Sequence, residues 1–237
     1  MYDKTLRILE YVSGNQENST IQAISRQTGI SKSTVHRIIK TLVDDQVVIP
    51  RPKSGYNLTP KLFAIGLNGL KQKNVMDLAV PILRNISQST KETVSFYVLS
   101  GTERICVYHV EGEYPYSRTK IGDRGPLLKG SVGMVMAAFM DRTELSGIAD
   151  LYMKEGTLTP EQIQSAMERL TLVKEQGYAV SMGARHPGTA SLAVPIFDIS
   201  GYVTAALSIA TNIDRMTPEV IKYYSQILSD VAKQICM

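Results

Sequence analysis

Residues 21–42, IQAISRQTGISKSTVHRIIKTL, hold two short amphipathic helices joined at a single glycine. Gly29 supplies the positive φ that stops the first helix, and Ser31 can cap the second. On that second helix Val35, Ile38, Ile39 and Leu42 recur at i, i+3, i+4 and i+7 and form one apolar side. Ser33, Arg37 and Lys40 point the opposite way, Thr34 and His36 lie on the flanks, and Lys32 is in the first turn. Ser25 is small where the two helices must cross. The pattern is that of a helix-turn-helix, whose second helix enters the major groove of DNA.

A solvated basic face on an ordinary amphipathic helix gives the same charge pattern, so the flanking sequence decides. Before it, a helix from about Lys4 to Ser13 turns Leu6, Ile8, Leu9 and Val12 to one side and stops at Gly14-Asn15. Ser19 or Thr20 can cap the next helix, with Gln22 at capping-box spacing from Ser19 and with Ile21, Ile24 and Thr28 facing inward. After it, 47–49 and 56–58 read as two strands around the turn PRPKSG, which puts Arg51 and Lys53 at the tip of a wing. Charge follows the same division. Residues 1–73 carry 11 Lys/Arg against 5 Asp/Glu, whereas residues 74–237 carry 15 against 17. A basic module joined to a mildly acidic one fits double-stranded DNA as partner. The candidate DNA contacts are Ser31, Ser33, Thr34 and Arg37, with His36 either a base reader or simply solvent-facing; Lys32, Lys40, Arg51 and Lys53 are assigned to phosphates.

The remainder reads as α+β. Thr59-Pro60 starts a helix whose Leu62, Phe63, Ile65, Leu67 and Leu70 surround much of the wheel, and Gly66 and Gly69 permit close packing on a second subunit or within the chain. The expected domains are 1–59, a linker helix in 60–74, and 75–237. In the last, a helix is expected over 76–90, a hairpin turning at Ser100-Gly101, a short strand over 116–121, and helices over 131–140, 143–153 and 160–176. Strands near 178–182, 191–197 and 202–210 and a helix from Pro218 complete an antiparallel sheet bracketed by helices. No apolar run reaches the ~20 residues needed to span a bilayer, and the N-terminus lacks a signal-peptide core, so no membrane partner and a cytoplasmic address are expected. Cys106 and Cys236 form no disulfide framework or CxxC motif. Near Ser131 a helix N-terminus, with Gly133 leaving room, can receive a small anion; it can equally be a plain capped helix packed through Val132, Val135 and Met136.

ISRQTGISKSTVHRIIKTLVDDQVV with SGYNLTPKLFAIG, and GPLLKGSVGMVMAA with GYAVSMGARHPGTASLAVPIFDISGYVTAALSIA, resemble the IclR family of bacterial transcriptional regulators over nearly the whole chain. The resemblance implies a winged helix-turn-helix, a linker helix and a GAF/PAS-like effector-binding domain. It also implies a homodimer or homotetramer on DNA, which two-fold symmetry makes a pseudo-palindromic operator. By similarity the effector pocket draws on Ser131, Val132, Ser181, Ser191 and Ser208. Arg118, Arg185 and His186 are added on chemical grounds. The family commonly has acids where Ser181 and Ala184 stand, and often Cys at Ser191; without them no metal and no cofactor is expected, and the effector is expected to be an anion, such as a small organic acid.

Two other classes compete. An enzyme with a fused winged helix could use Ser181 or Ser191, His186 and Asp198 as a triad, but no G-x-S-x-G elbow is present and Asp198 lies in a turn-forming Asp-Ile-Ser-Gly, so no catalytic residue is assigned. Alternatively the second domain only oligomerises.

Overall fold

Helices α1 (Tyr2–Gly14), α2 (Ile21–Thr28) and α3 (Lys32–Asp44) fold round the apolar positions that share a side. The computed structural model that shows them describes residues 2–15, 17–70, 75–113, 119–184 and 187–235. The chain divides into two units, 1–72 and 73–237. In the first, Ile8, Val12, Ile24, Ile30, Val35, Ile38, Ile39, Leu42 and Val48 make one buried cluster. Leu6 does not join it: at 58% exposure it lies on the outer side of α1, because Ile8 and Val12, four apart, already set the buried line. Thr20, not Ser19, caps α2 by accepting from the Ala23 amide at 3.2 Å. Ser19 is buried instead, its hydroxyl donating to the Asn15 carbonyl. Gly29 has φ +70 and its amide donates to the Ser25 carbonyl, while the Ser25 hydroxyl donates to the Ile30 carbonyl at 2.7 Å, so the turn is tied at both ends.

Strands β1 (Val48–Arg51) and β2 (Gly55–Leu58) pair antiparallel, with Arg51 opposite Gly55. The wing is docked by its glycine: Gly55 has φ +99, and a Cβ there would meet the Ser19 carbonyl carbon at 2.3 Å. The Ser19 amide donates to the Ser54 carbonyl at 2.8 Å beside it. Helix α4 (Pro60–Leu70) is anchored at its start, where the Thr59 hydroxyl donates to the Gln46 carbonyl and the Lys61 ammonium to the Asp45 carbonyl, each at 2.6 Å. Of its apolar positions Ile65 is 57% exposed.

The second unit is a six-stranded antiparallel sheet. Its strands are β3 (Thr93–Ser100), β4 (Glu103–Val110), β5 (Arg124–Pro126), β6 (Ala179–Met182), β7 (Thr189–Phe197) and β8 (Val203–Asn212), in spatial order β5-β4-β3-β8-β7-β6. Alternation along the strands divides two apolar layers. Val94, Phe96, Leu192, Val194, Ile196, Leu207 and Ile209 pack on α5 (Val75–Thr90) and, past helices α6 (Gly130–Ala137), α7 (Arg142–Glu155) and α8 (Pro160–Gln176) in sequence, on α9 (Pro218–Gln234). Tyr97, Cys106, Ala193 and Ala206 pack on the other side against α6, α7 and α8.

The strand expected over 116–121 is corrected. Residues 116–118 lie outside the described residues, 119–121 form no strand, and the edge strand is Arg124–Pro126, paired with Glu103–Ile105. Helix α6 runs from Gly130 to Ala137 and stops short of Met140. Among the described residues no helix is long and apolar enough to cross a membrane.

Candidate nucleic-acid interface and effector pocket

On α3 the candidate DNA contacts all lie off the buried line. Lys32, Ser33, His36, Arg37 and Lys40 are exposed and Thr34 is half-buried, while Val35, Ile38, Ile39 and Leu42 are buried. Ser31 caps the helix: its oxygen accepts from the Thr34 amide at 3.4 Å, and its hydroxyl donates to the Thr34 hydroxyl at 2.9 Å and lies 3.2 Å from that of Ser33. Hydroxyls thus gather at the positive end of a 13-residue helix, with Arg37 and Lys40 one and two turns further on. Such a surface can offer hydroxyls and a guanidinium to base edges and ammonium groups to phosphates.

Arg51 and Lys53 are exposed on the wing. With the Asn57 amide oriented so that both its polar atoms are satisfied, its oxygen accepts from Arg51 Nη1 at 3.2 Å and holds that guanidinium beside the strand. Lys53 has φ +67, a conformation costly for a residue with a Cβ, so the tip of the hairpin is set by its flanking pairing rather than by local preference.

In the second unit Ser131, Val132, Ser181, Ser191 and Ser208 line one pocket on the α6 side of the sheet. Strand register puts them there. Ser181 pairs with Ser191, Ser191 with Ala210, and Ser208 lies between Ala193 and Ser95. The Ser131 and Ser191 hydroxyls are 2.7 Å apart and tie the first turn of α6 to β7. Eight lining residues carry hydroxyls, and among the described lining residues none is Asp or Glu.

Two expectations for this site change or stay outside it, and one residue enters it unexpected. Arg118, Arg185 and His186 lie outside the described residues. Gly133 does not make room for an anion: a Cβ there would lie 2.4 Å from the Leu127 carbonyl oxygen, so the glycine lets α6 pack on the preceding turn. The cation that sequence reasoning passed over is Arg104, which lines the pocket at 3% exposure with its guanidinium 5.7 Å from the Tyr97 ring centroid. Its position on β4, two residues before buried Cys106 on the same face, was the available signal.

Of the residues considered as a triad, His186 lies outside the described residues and Asp198 is not placed to act with Ser191. Asp198 accepts from the Ser200 amide at 2.8 Å and the Tyr202 amide at 3.0 Å, closing the β7–β8 turn. It stands seven residues beyond Ser191 along extended chain, roughly 20 Å away. Among the described residues no group of His, Cys, Asp and Glu is arranged to hold a metal ion.

Comparison with known proteins assigns these two parts. Residues 2–48 match the IclR helix-turn-helix domain, and residues 68–237 match the bacterial transcriptional regulator IclR C-terminal domain. The HTH-type transcriptional regulator KdgR of Escherichia coli is 31% identical over 228 residues, covering 94% of this chain and 86% of that protein. The IclR of Thermotoga maritima superposes with a TM-score of 0.72 at 26% identity over 99% of this chain and 96% of its own. An IclR homologue from Microbacterium hydrocarbonoxydans, solved with 4-hydroxybenzoate, shares the fold with a TM-score of 0.81 at 21% identity, covering 98% and 95% of the two chains. KdgR and further curated relatives are named transcriptional regulators, not enzymes. The chain belongs to the IclR family of bacterial transcriptional regulators, proteins that carry a helix-turn-helix domain.

Proposed function

We propose that the exposed side of α3 reads a pseudo-palindromic operator as part of a cytoplasmic homodimer or homotetramer, and that a small organic acid bound in the second unit controls this binding. The single observation that supports the DNA reading is the division of α3 into a buried aliphatic line and an exposed line of Ser33, Arg37 and Lys40. Ser33, Thr34 and Arg37, with His36 beside them, contact base edges; Ser31, Lys32, Lys40, Arg51 and Lys53 contact phosphates. Residues 1–59 form the DNA-binding domain, 60–74 the link and 75–237 the effector domain. The pocket of Ser131, Val132, Ser181, Ser191 and Ser208 takes the effector, with Arg118, Arg185 and His186 as further candidates. No metal or cofactor has a part in this reading.

Base and phosphate contacts differ in what their loss does. Arg37→Ala is expected to remove about 1–3 kcal/mol of discrimination between operator and random DNA. Lys40→Ala is expected to weaken both alike and to lower the salt slope of binding by about 1. Titration of both variants on operator and random duplexes at several salt concentrations tests the division; equal losses on both DNAs for both variants would contradict it.

A further inference from the structure

We infer that Thr59 and Lys61 are positioning residues for DNA reading: they fasten the start of α4 to the end of α3, so that the link sets the separation at which two copies of α3 meet DNA. This rests on the two-fold DNA reading above and names the residues that give it a fixed spacing.

The end of α3 is closed by its own backbone. Gln46 takes φ +56, its amide donates to the Val43 carbonyl at 2.9 Å, and the Val47 amide donates to the Leu42 carbonyl at 2.8 Å. This is the left-handed closure in which the amides after a helix turn back onto its last carbonyls. Neither bond uses the carbonyl of Asp45 or Gln46. The helix also ends on Asp44, has no basic residue in its last turn and is followed by Asp45, so its negative pole carries like charge.

Both needs are met from α4. The Lys61 ammonium donates to the Asp45 carbonyl and brings a cation to that pole. The Thr59 hydroxyl donates to the Gln46 carbonyl and accepts from the Lys61 amide at 3.3 Å, so one oxygen caps α4 and holds α3. The Thr59 amide donates to the Val47 carbonyl at 3.0 Å. Pro60 follows directly, with its own φ fixed and Thr59 confined to extended backbone, so no free joint separates these bonds from the helix. Lys61 is exposed and its bond competes with water, whereas Thr59 is half-buried and bonds through both amide and hydroxyl.

Leverage gives the junction its effect. α3 has 13 residues, about 20 Å of helix, and Ser33, Thr34 and Arg37 lie in the half away from the junction. Slack of about 10° at residues 45–46 would swing that far end by roughly 3 Å, close to the ~3.4 Å between successive base pairs. In a two-fold oligomer each α3 is carried by its own link, and such slack becomes uncertainty in half-site spacing.

A repeat selected from random DNA with the full-length protein supplies the duplexes for the test: the selected spacing, the same half-sites with one base pair inserted or removed between them, and a single half-site. Wild type is expected to bind the selected spacing on the order of tenfold tighter than either altered one. Thr59→Val with Lys61→Met is expected to narrow that ratio to about threefold while single half-site affinity stays within about twofold of wild type. Thr59→Ser keeps the hydroxyl and is expected to keep the wild-type ratio. Lys61→Met alone, at an exposed position, is expected to narrow the ratio part of the way, so the comparison stands even where the double variant does not fold. A ratio unchanged in these variants, or a loss on the single half-site as large as the loss on the repeat, overturns the inference and leaves the DNA reading in place. Wild type binding all three spacings alike also overturns it. Enrichment of no repeat by wild type overturns the two-fold reading and this inference with it.

Discussion

Glu92 is fully buried, and its carboxylate accepts from the Thr211 hydroxyl at 2.8 Å and pairs with Arg215 at 2.9 Å. Burial pushes its pKa up and outweighs the opposing pull of Thr211, Arg215 and Tyr224. Arg215 is 43% exposed, so solvent screens much of its attraction. A carboxyl whose folded pKa lies above its unfolded value contributes stability at low pH and loses it as pH rises through the folded value. Glu92→Gln has no such titration. Wild type is therefore expected to lose stability relative to Glu92→Gln as pH rises from mildly acidic to neutral; denaturant unfolding of both across that range shows it, and a gain by wild type would contradict the assignment. Tyr224, pushed up to about 12 mainly by burial and then by the Glu92 charge, stays protonated throughout this range.

At the scale of elements, the wing and α6 are held by backbone approaches that admit only glycine. Gly55→Ala puts a Cβ within 2.3 Å of the Ser19 carbonyl at φ +99, so the first unit is expected to lose about 3 kcal/mol or more and the wing its seat. Unfolding of the variant tracked by far-ultraviolet circular dichroism checks it, and a wild-type midpoint would show that the contact relaxes cheaply. Elements with their own period were legible in the sequence: Val35, Ile38, Ile39 and Leu42 gave α3 its face, and Pro160–Gln176 and Pro218 began where a proline follows a threonine cap. Arg124–Pro126 was not, because three residues carry no alternation and become strand only through pairing with β4. The pocket was half legible. Its five residues from Ser131 to Ser208 came from family resemblance, whereas Ser95 and Arg104 enter through the β3–β8 and β3–β4 registers, which join segments distant or bulged in sequence.

For the whole molecule, the basic excess is confined to residues 1–73, and DNA affinity should be set mainly there. A two-fold oligomer presents two copies of α3, so half-sites about one helical turn of DNA apart, or a multiple of it, are expected. Sedimentation of the protein with and without operator should give a dimer or tetramer on the DNA; a monomer bound to a single half-site would remove the symmetry. The central claim, that the exposed side of α3 carries sequence information, is tested most directly by selecting bound sequences from random DNA with the full-length protein and with Arg37→Ala. The expected outcome is an inverted repeat enriched by wild type and degenerate at the Arg37 contact for the variant. Enrichment of the same repeat, to the same extent, by both proteins would contradict it.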